Sequence, residues 1–125
     1  MARILIAEDE EPLRALCARA LAIDGHEVET ASDGGDALDL IVRQEGRFDL
    51  LLTDIRMPIM DGIALALTAA RDYPMLTILL MTGYADQRER AHGLDAIIHD
   101  VISKPFSVAT LRGAVTEALT VRTRN

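Results

Sequence analysis

Residues 49–62 read Asp49-Leu50-Leu51-Leu52-Thr53-Asp54-Ile55-Arg56-Met57-Pro58-Ile59-Met60-Asp61-Gly62. The stretch opens as a short continuous apolar run, the pattern of a strand covered on both faces of a sheet. It ends on a carboxylate, Asp54, and passes through a Met- and Pro-containing turn. Asp61 then stands where a helix would start, and the helical pattern from Gly62 to Tyr73 stops before Pro74. A buried strand, a turn bearing an acid, and a helix in immediate succession make one unit of an alternating fold.

Working outward, the unit repeats. Short branched-aliphatic runs recur at Arg3–Ala7, His26–Thr30, Thr77–Thr82 and Val101–Ser103. All but the second are continuous, like residues 49–53. In the second, Val28 alternates with charged neighbours, which marks an edge strand. Between the runs lie helix patterns. Leu13, Leu16, Cys17, Ala20, Leu21 and Ile23 follow the spacing of one buried stripe, with Pro12 at the first turn and Gly25 just past the end. Ala37, Leu38, Ile41 and Val42 mark a second helix. Leu111, Val115, Ala118 and Leu119 mark a last one, with Ser107 as its N-cap. Ala85 to Leu94 carries five polar residues in succession and little to bury, which predicts a short, weakly anchored helix. Strand and helix thus alternate five times, predicting an α/β fold: a parallel sheet with helices on both faces and right-handed crossovers.

Composition narrows the class. A chain of 125 residues is one domain, here residues 1–121 with a short polar tail at 122–125. Half the residues are hydrophobic, 3% are aromatic and none is Trp, so the core is aliphatic and a stacking platform for single-stranded nucleic acid is disfavoured. The net charge of -7 repels phosphates and anionic lipid; the expectation is no direct nucleic-acid contact and no membrane partner. The single Cys17 allows no internal disulfide and reads as a small core residue. No apolar run approaches the ~20 residues of a membrane helix, and the N-terminus is too quickly acidic for a signal peptide. A soluble, cytoplasmic protein is expected.

In an open α/β sheet, ligands bind beyond the carboxyl ends of the strands. There the first strand ends in Glu8 and Asp9, the third in Asp54, the fourth in Thr82, and the fifth in Lys104 followed by Pro105. Two unpaired carboxylates about 5 Å apart repel by roughly 3 kcal/mol at an effective dielectric of 20. Three converging acids therefore call for a cation, and oxygen ligands suit a hard divalent ion such as Mg²⁺. Lys104 adds a compact positive charge, and it is the sole Lys among 13 basic residues.

Four motifs together, Glu8-Asp9, Asp54 through Gly62, Thr82-Gly83 and Lys104-Pro105-Phe106, resemble the receiver domains of two-component response regulators. The likeness runs over nearly the whole chain with the motifs in order. It implies a flavodoxin-like (CheY-like) five-stranded sheet in the order 2-1-3-4-5. It also implies a phosphorelay switch: Asp54 as phosphoacceptor, taking its phosphoryl group from a phosphohistidine of a histidine kinase or histidine phosphotransferase. Asp54 needs no general base, because a carboxylate is already ionised at neutral pH. By the same resemblance, Glu8, Asp9, Asp54 and the backbone carbonyl of Arg56 hold Mg²⁺. Thr82 and Lys104 contact phosphoryl oxygens, Gly83 leaves room for the donor, and the Lys104–Pro105 bond is cis. Arg56 and Tyr84 border the mouth of the site. Such a protein is no enzyme beyond catalysing its own phosphorylation and dephosphorylation.

Plainer readings stand beside these. Glu8 and Asp9 suit a helix cap, Thr82 a β-branched strand end, and Met57, Pro58 and Met60 loop packing. His26, His92 and His99 have no metal-ligand spacing. Many receivers carry Tyr or Phe three residues before the strand-five Lys; here that position is Val101, stiff at χ1 and without a ring to swing. The chain begins at Met1 and stops after the last helix, which favours a stand-alone receiver that docks on a downstream protein, as a monomer or weak homodimer. Residues 1–5, 50–55 and 101–106 resemble CpdR-type receivers of alphaproteobacteria, which deliver substrates to the ClpXP protease. One alternative is the receiver of a longer DNA-binding transcriptional regulator. Another, a phosphatase of the haloacid dehalogenase kind, needs a second Asp two residues after the first, where this chain has Arg56.

Overall fold

A computed structural model describes residues 1–124, without the side chains of 122–124. The elements run β1 (Arg3–Ala7), α1 (Glu11–Ile23), β2 (Glu27–Ala31), α2 (Gly34–Arg43), β3 (Leu50–Asp54), α3 (Gly62–Asp72), β4 (Thr77–Thr82), α4 (Ala85–His92), β5 (Asp100–Ser103) and α5 (Val108–Arg124). All strands pair in parallel, in the order β2-β1-β3-β4-β5. The polar tail expected at 122–125 falls on the last turn of α5 as far as Arg124, and Asn125 lies outside the described residues.

The strand alternation sorts the aliphatic residues onto two faces. Ile4, Ile6, Leu50, Leu52, Leu79 and Met81 point to the side covered by α1 and α5, where Cys17, Leu21, Leu111 and Val115 meet them. Leu5, Leu51, Ile78 and Leu80 point to the other side, against Ala37 and Ile41 of α2 and Leu65, Ala66 and Ala69 of α3. β3 lies at the centre, and all five of its residues are buried. Each fully buried Leu or Ile contributes roughly 1.5–3 kcal/mol of transfer free energy, so the strand that carries Asp54 is firmly held, as are its neighbours β1 and β4.

Local chemistry sets the helix ends. Gly25, at φ +90°, follows α1; its N–H donates to the Ala22 carbonyl and the N–H of His26 to the Leu21 carbonyl. Those two bonds form a Schellman motif, whose left-handed residue favours glycine. Asp33, Asp61 and Ser107 cap α2, α3 and α5 by accepting from Asp36, Ala64 and Thr110 N–H at 2.8, 2.8 and 3.0 Å; each such cap contributes about 1 kcal/mol.

Some sequence expectations fail locally. Leu16, Ile23 and Val42 are exposed rather than buried, because the contacts of α1 run through Cys17, Ala20 and Leu21 and those of α2 through Gly34, Ala37 and Ile41. β5, expected to be covered on both faces, is an edge strand in which Ile102 alone is buried. β2 is the other edge, as its charge pattern predicts. α4 buries only Ala91, matching its predicted weak anchoring.

Candidate functional site

The carboxyl ends of β1, β3, β4 and β5 meet along one rim of the sheet. Register accounts for this: Ala7 pairs with Thr53, Asp54 with Met81 and Thr82 with Ser103, so the residues that follow are level with one another. Gly62 fixes the turn after β3. A Cβ there would lie 2.0 Å from the Asp54 carbonyl oxygen, so α3 can start this close to β3 only with glycine. Gly62 N–H also donates to the Ile55 carbonyl at 2.7 Å.

Glu8, Asp9 and Asp54 each offer a carboxylate oxygen within 4.8 Å of the others. Glu8 is fully buried and Asp54 is 6% exposed, whereas Asp9 is open to solvent. Lys104 Nζ bridges the two buried acids, 2.7 Å from Glu8 Oε1 and 3.2 Å from Asp54 Oδ2. Backbone groups complete the first contacts: Ile55 N–H donates to Asp54 Oδ1 at 2.9 Å, and Glu10 N–H to Glu8 Oε2 at 3.0 Å. Arg14 donates to the Glu8 carbonyl at 2.8 Å, a contact the sequence does not announce.

The electrostatics follow from burial. Burial pushes the Asp54 carboxyl above its ordinary range, Asp9 adds to the rise, and the Lys104 ammonium with the Ile55 N–H offsets part of it. Glu8 is raised likewise, by burial first and by Asp54 second. For Lys104 burial is the largest single influence and acts downward, but Glu8 and Asp54 together outweigh it and hold the ammonium above its usual range. One ammonium among three carboxylates leaves the rim short of positive charge. Three clustered carboxylate oxygens, one of them solvent-facing, form the donor set of a hard divalent cation, so the residues present fit Mg²⁺.

A cavity of about 690 Å³ opens over this cluster, walled by Asp9, Asp54, Arg56, Gly83, Tyr84 and Lys104 among others. The Arg56 guanidinium lies 5.0 Å from the centre of the Tyr84 ring, a cation–π distance, so the two mouth residues touch. Thr82 sits at the end of β4 but its hydroxyl is engaged away from Asp54, near the Tyr84 carbonyl and Gln87. The Lys104–Pro105 peptide is cis, as the resemblance implies.

The sequence profile of the response regulator receiver domain matches residues 4–116. The chain belongs to the response regulator receiver family. It is 35% identical over 122 residues to the response regulator MprA of Mycobacterium leprae, covering 98% of this receiver and 52% of that protein. The receiver thus spans about half the length of the curated relatives it matches. Among solved structures, a CheY-like receiver domain protein of Methanospirillum hungatei superposes with a TM-score of 0.90 at 30% identity, over 99% of this chain and 98% of that one. The response regulator TrrA of Thermotoga maritima, solved in complex with Mg²⁺ and BeF, gives 0.84 at 29% identity, over 94% and 99%. These confirm the CheY-like receiver fold and with it a role in phosphorelay signalling, as the motifs predict.

Of the predicted site residues, the structure brings Glu8, Asp9, Asp54 and Lys104 together and sets Arg56 at the cavity wall. Thr82 is close by but turned aside. Among the described residues, His26, His92 and His99 join no metal-binding cluster; His26 accepts from Ala2 N–H and His99 lies 3.7 Å from Glu117. Gln87, which meets the Thr82 hydroxyl, is missing from the sequence reading because a glutamine in a polar run carries no signal of its partner. No helix among the described residues is long and apolar enough to cross a membrane.

Proposed function

We propose that Asp54 is the phosphoacceptor of a phosphorelay, converted to an acyl phosphate by a phosphohistidine of a histidine kinase or histidine phosphotransferase. The observation that carries this reading is the Lys104 ammonium bridging the buried carboxylates of Glu8 and Asp54 at the floor of an open cavity. Glu8, Asp9, Asp54 and the Arg56 carbonyl would hold Mg²⁺, which neutralises charge on the phosphoryl oxygens when bound. The chain's own residues do the rest. Asp54 attacks phosphorus through a carboxylate oxygen as the P–N bond to the donor imidazole breaks, and the imidazole leaves with the electron pair. Ile55 N–H holds Asp54 Oδ1 in place, while Lys104 stands ready to pair with the phosphoryl group. Thr82 offers a hydroxyl to another phosphoryl oxygen. Positioning and charge neutralisation supply most of the rate in such transfers. The chain catalyses only its own phosphorylation and dephosphorylation, and acts by binding a downstream protein. Incubation with acetyl phosphate and Mg²⁺ followed by intact-mass measurement tests this: one phosphoryl group is gained, and none in Asp54→Asn or after chelation. Equal labelling of Asp54→Asn would overturn it.

Two outputs remain as readings of the downstream step. The relatives' length favours a receiver that works within, or beside, a longer regulator, since the chain covers 52% of MprA from Mycobacterium leprae. The CpdR-type resemblance favours delivery of substrates to ClpXP. Retention of the protease's unfoldase subunit by the unphosphorylated receiver supports the second; no retention in either phosphorylation state removes it.

A further inference from the structure

The Thr82 hydroxyl is nearly buried, at 3% exposure for the residue. Its oxygen accepts the Tyr84 N–H at 3.1 Å. Its single proton faces two acceptors, Gln87 Oε1 at 3.3 Å and the Tyr84 carbonyl at 3.4 Å. A hydroxyl donates one proton only, so a phosphoryl oxygen on Asp54 would be a third claimant on it. Thr82 cannot serve the phosphoryl group and Gln87 together.

Gln87 belongs to the first turn of α4, a helix with little else to hold it. Ala91 is its only buried residue. Its remaining ties are polar: Arg88 donates to Ser103 Oγ and, at 3.4 Å, to the Val101 carbonyl, and Arg90 reaches Asp61 Oδ2 at 3.4 Å. Val101, under Arg88, has no ring to couple the edge strand to the site. A helix anchored by a few polar contacts responds to the loss of one more than a helix packed through an apolar stripe does.

We propose that Gln87 is a positioning residue that holds the Thr82 hydroxyl off the phosphoryl site, so that occupancy of Asp54 frees the start of α4. The inference rests on the receiver reading above. Phosphorylation changes only the acceptor: Thr82 turns, keeps its proton, and donates it to the phosphoryl oxygen. Gln87 loses its partner, whereas the Tyr84 carbonyl keeps the Arg88 N–H at 3.1 Å, and the first turn of α4 loses its side-chain tie to β4.

Beryllofluoride with Mg²⁺, titrated by calorimetry, tests this without a kinase. Gln87→Met keeps the chain length and removes the acceptor. It should bind beryllofluoride about five-fold more tightly than the parent, the effect of one neutral hydrogen bond, with affinity for Mg²⁺ alone unchanged. In a Thr82→Ala background the same substitution should have no effect. Gln87→Ala provides a second variant should Met repack. Equal affinity of the parent and both Gln87 variants would overturn the proposal, as would equal tightening in the Thr82→Ala background. A parent that binds Mg²⁺ but no beryllofluoride would instead overturn the phosphoacceptor reading on which this one rests.

Discussion

Lys104 Nζ lies closer to Glu8 Oε1, at 2.7 Å, than to the proposed phosphoacceptor Asp54, at 3.2 Å from Oδ2. The ammonium is thus tied to a residue that stays unmodified. From there it needs only a small turn to meet a phosphoryl group grown on Asp54. The same arrangement explains why the rim is costly to fold: two buried acids share one base while a third acid faces them from solvent.

Neutralising Asp54 should therefore stabilise the protein. Its folded pKa is raised, so the fold favours the protonated form. The stability this group contributes is present below its unfolded pKa and is lost as pH rises through the folded value; Glu8 behaves the same way. Asp54→Asn should raise the unfolding free energy at pH 7 by about 1 kcal/mol. That is less than the roughly 3 kcal/mol of a bare carboxylate pair, because a Lys104 contact is lost. Urea titrations at pH 4.5 and 7 should show the gain shrinking on the acid side.

Mg²⁺ should relieve the same repulsion. At ten times its dissociation constant the ion should add about 1.4 kcal/mol to stability by mass action, read as a rise in melting temperature that chelation reverses. Asp9→Asn, on the solvent side of the cluster, should lose most of that rise while folding normally.

Gly62→Ala tests how β3 and α3 are joined. The new Cβ would meet the Asp54 carbonyl oxygen at 2.0 Å, and backbone cannot yield as a side chain can. We expect a loss of about 3 kcal/mol in chemical denaturation, with phosphorylation impaired because Asp54 shifts. Gly83→Ala is the control: its Cβ would meet only Lys104 Cβ, at 3.7 Å, and stability should change little.

Cys17 should be inert in the native protein. It is fully buried against β1, and burial, aided by the Glu8 charge, pushes its thiol up to about 11. A thiol-specific chromogenic reagent at pH 8 should label it only after denaturation.

Much of this was legible in residues 49–62. The run ending in Asp54 reads as a buried strand because every residue of β3 is buried, and Asp61 reads as a cap because its side chain has a free N–H to meet. The rim acids are legible for the same reason: strand ends are where chemistry collects in an alternating fold. What stayed hidden depends on neighbours distant in sequence. Val101-Ile102-Ser103 looks like a central strand, yet β5 has a partner on one side only, and its place in the sheet is set by β4. Leu16 and Ile23 match a helical stripe in spacing, but which stripe faces the sheet is decided by how α1 lies against β1 and β2. The hydroxyl of Thr82 could be expected at the site; its present engagement with Gln87 could not, since a single rotation about χ1 decides it.

In the proposed reaction Asp54 itself receives the phosphoryl group. Borohydride reduces an aspartyl phosphate to homoserine and leaves free carboxylates untouched. After phosphorylation with acetyl phosphate and Mg²⁺, reduction and peptide sequencing by mass spectrometry should therefore find homoserine at position 54 and at no other acid. Homoserine at position 9, or 2-amino-5-hydroxypentanoic acid (the product of a glutamyl phosphate) at position 8, with Asp54 intact, would rule Asp54 out as the acceptor, as would reduction at none of the three.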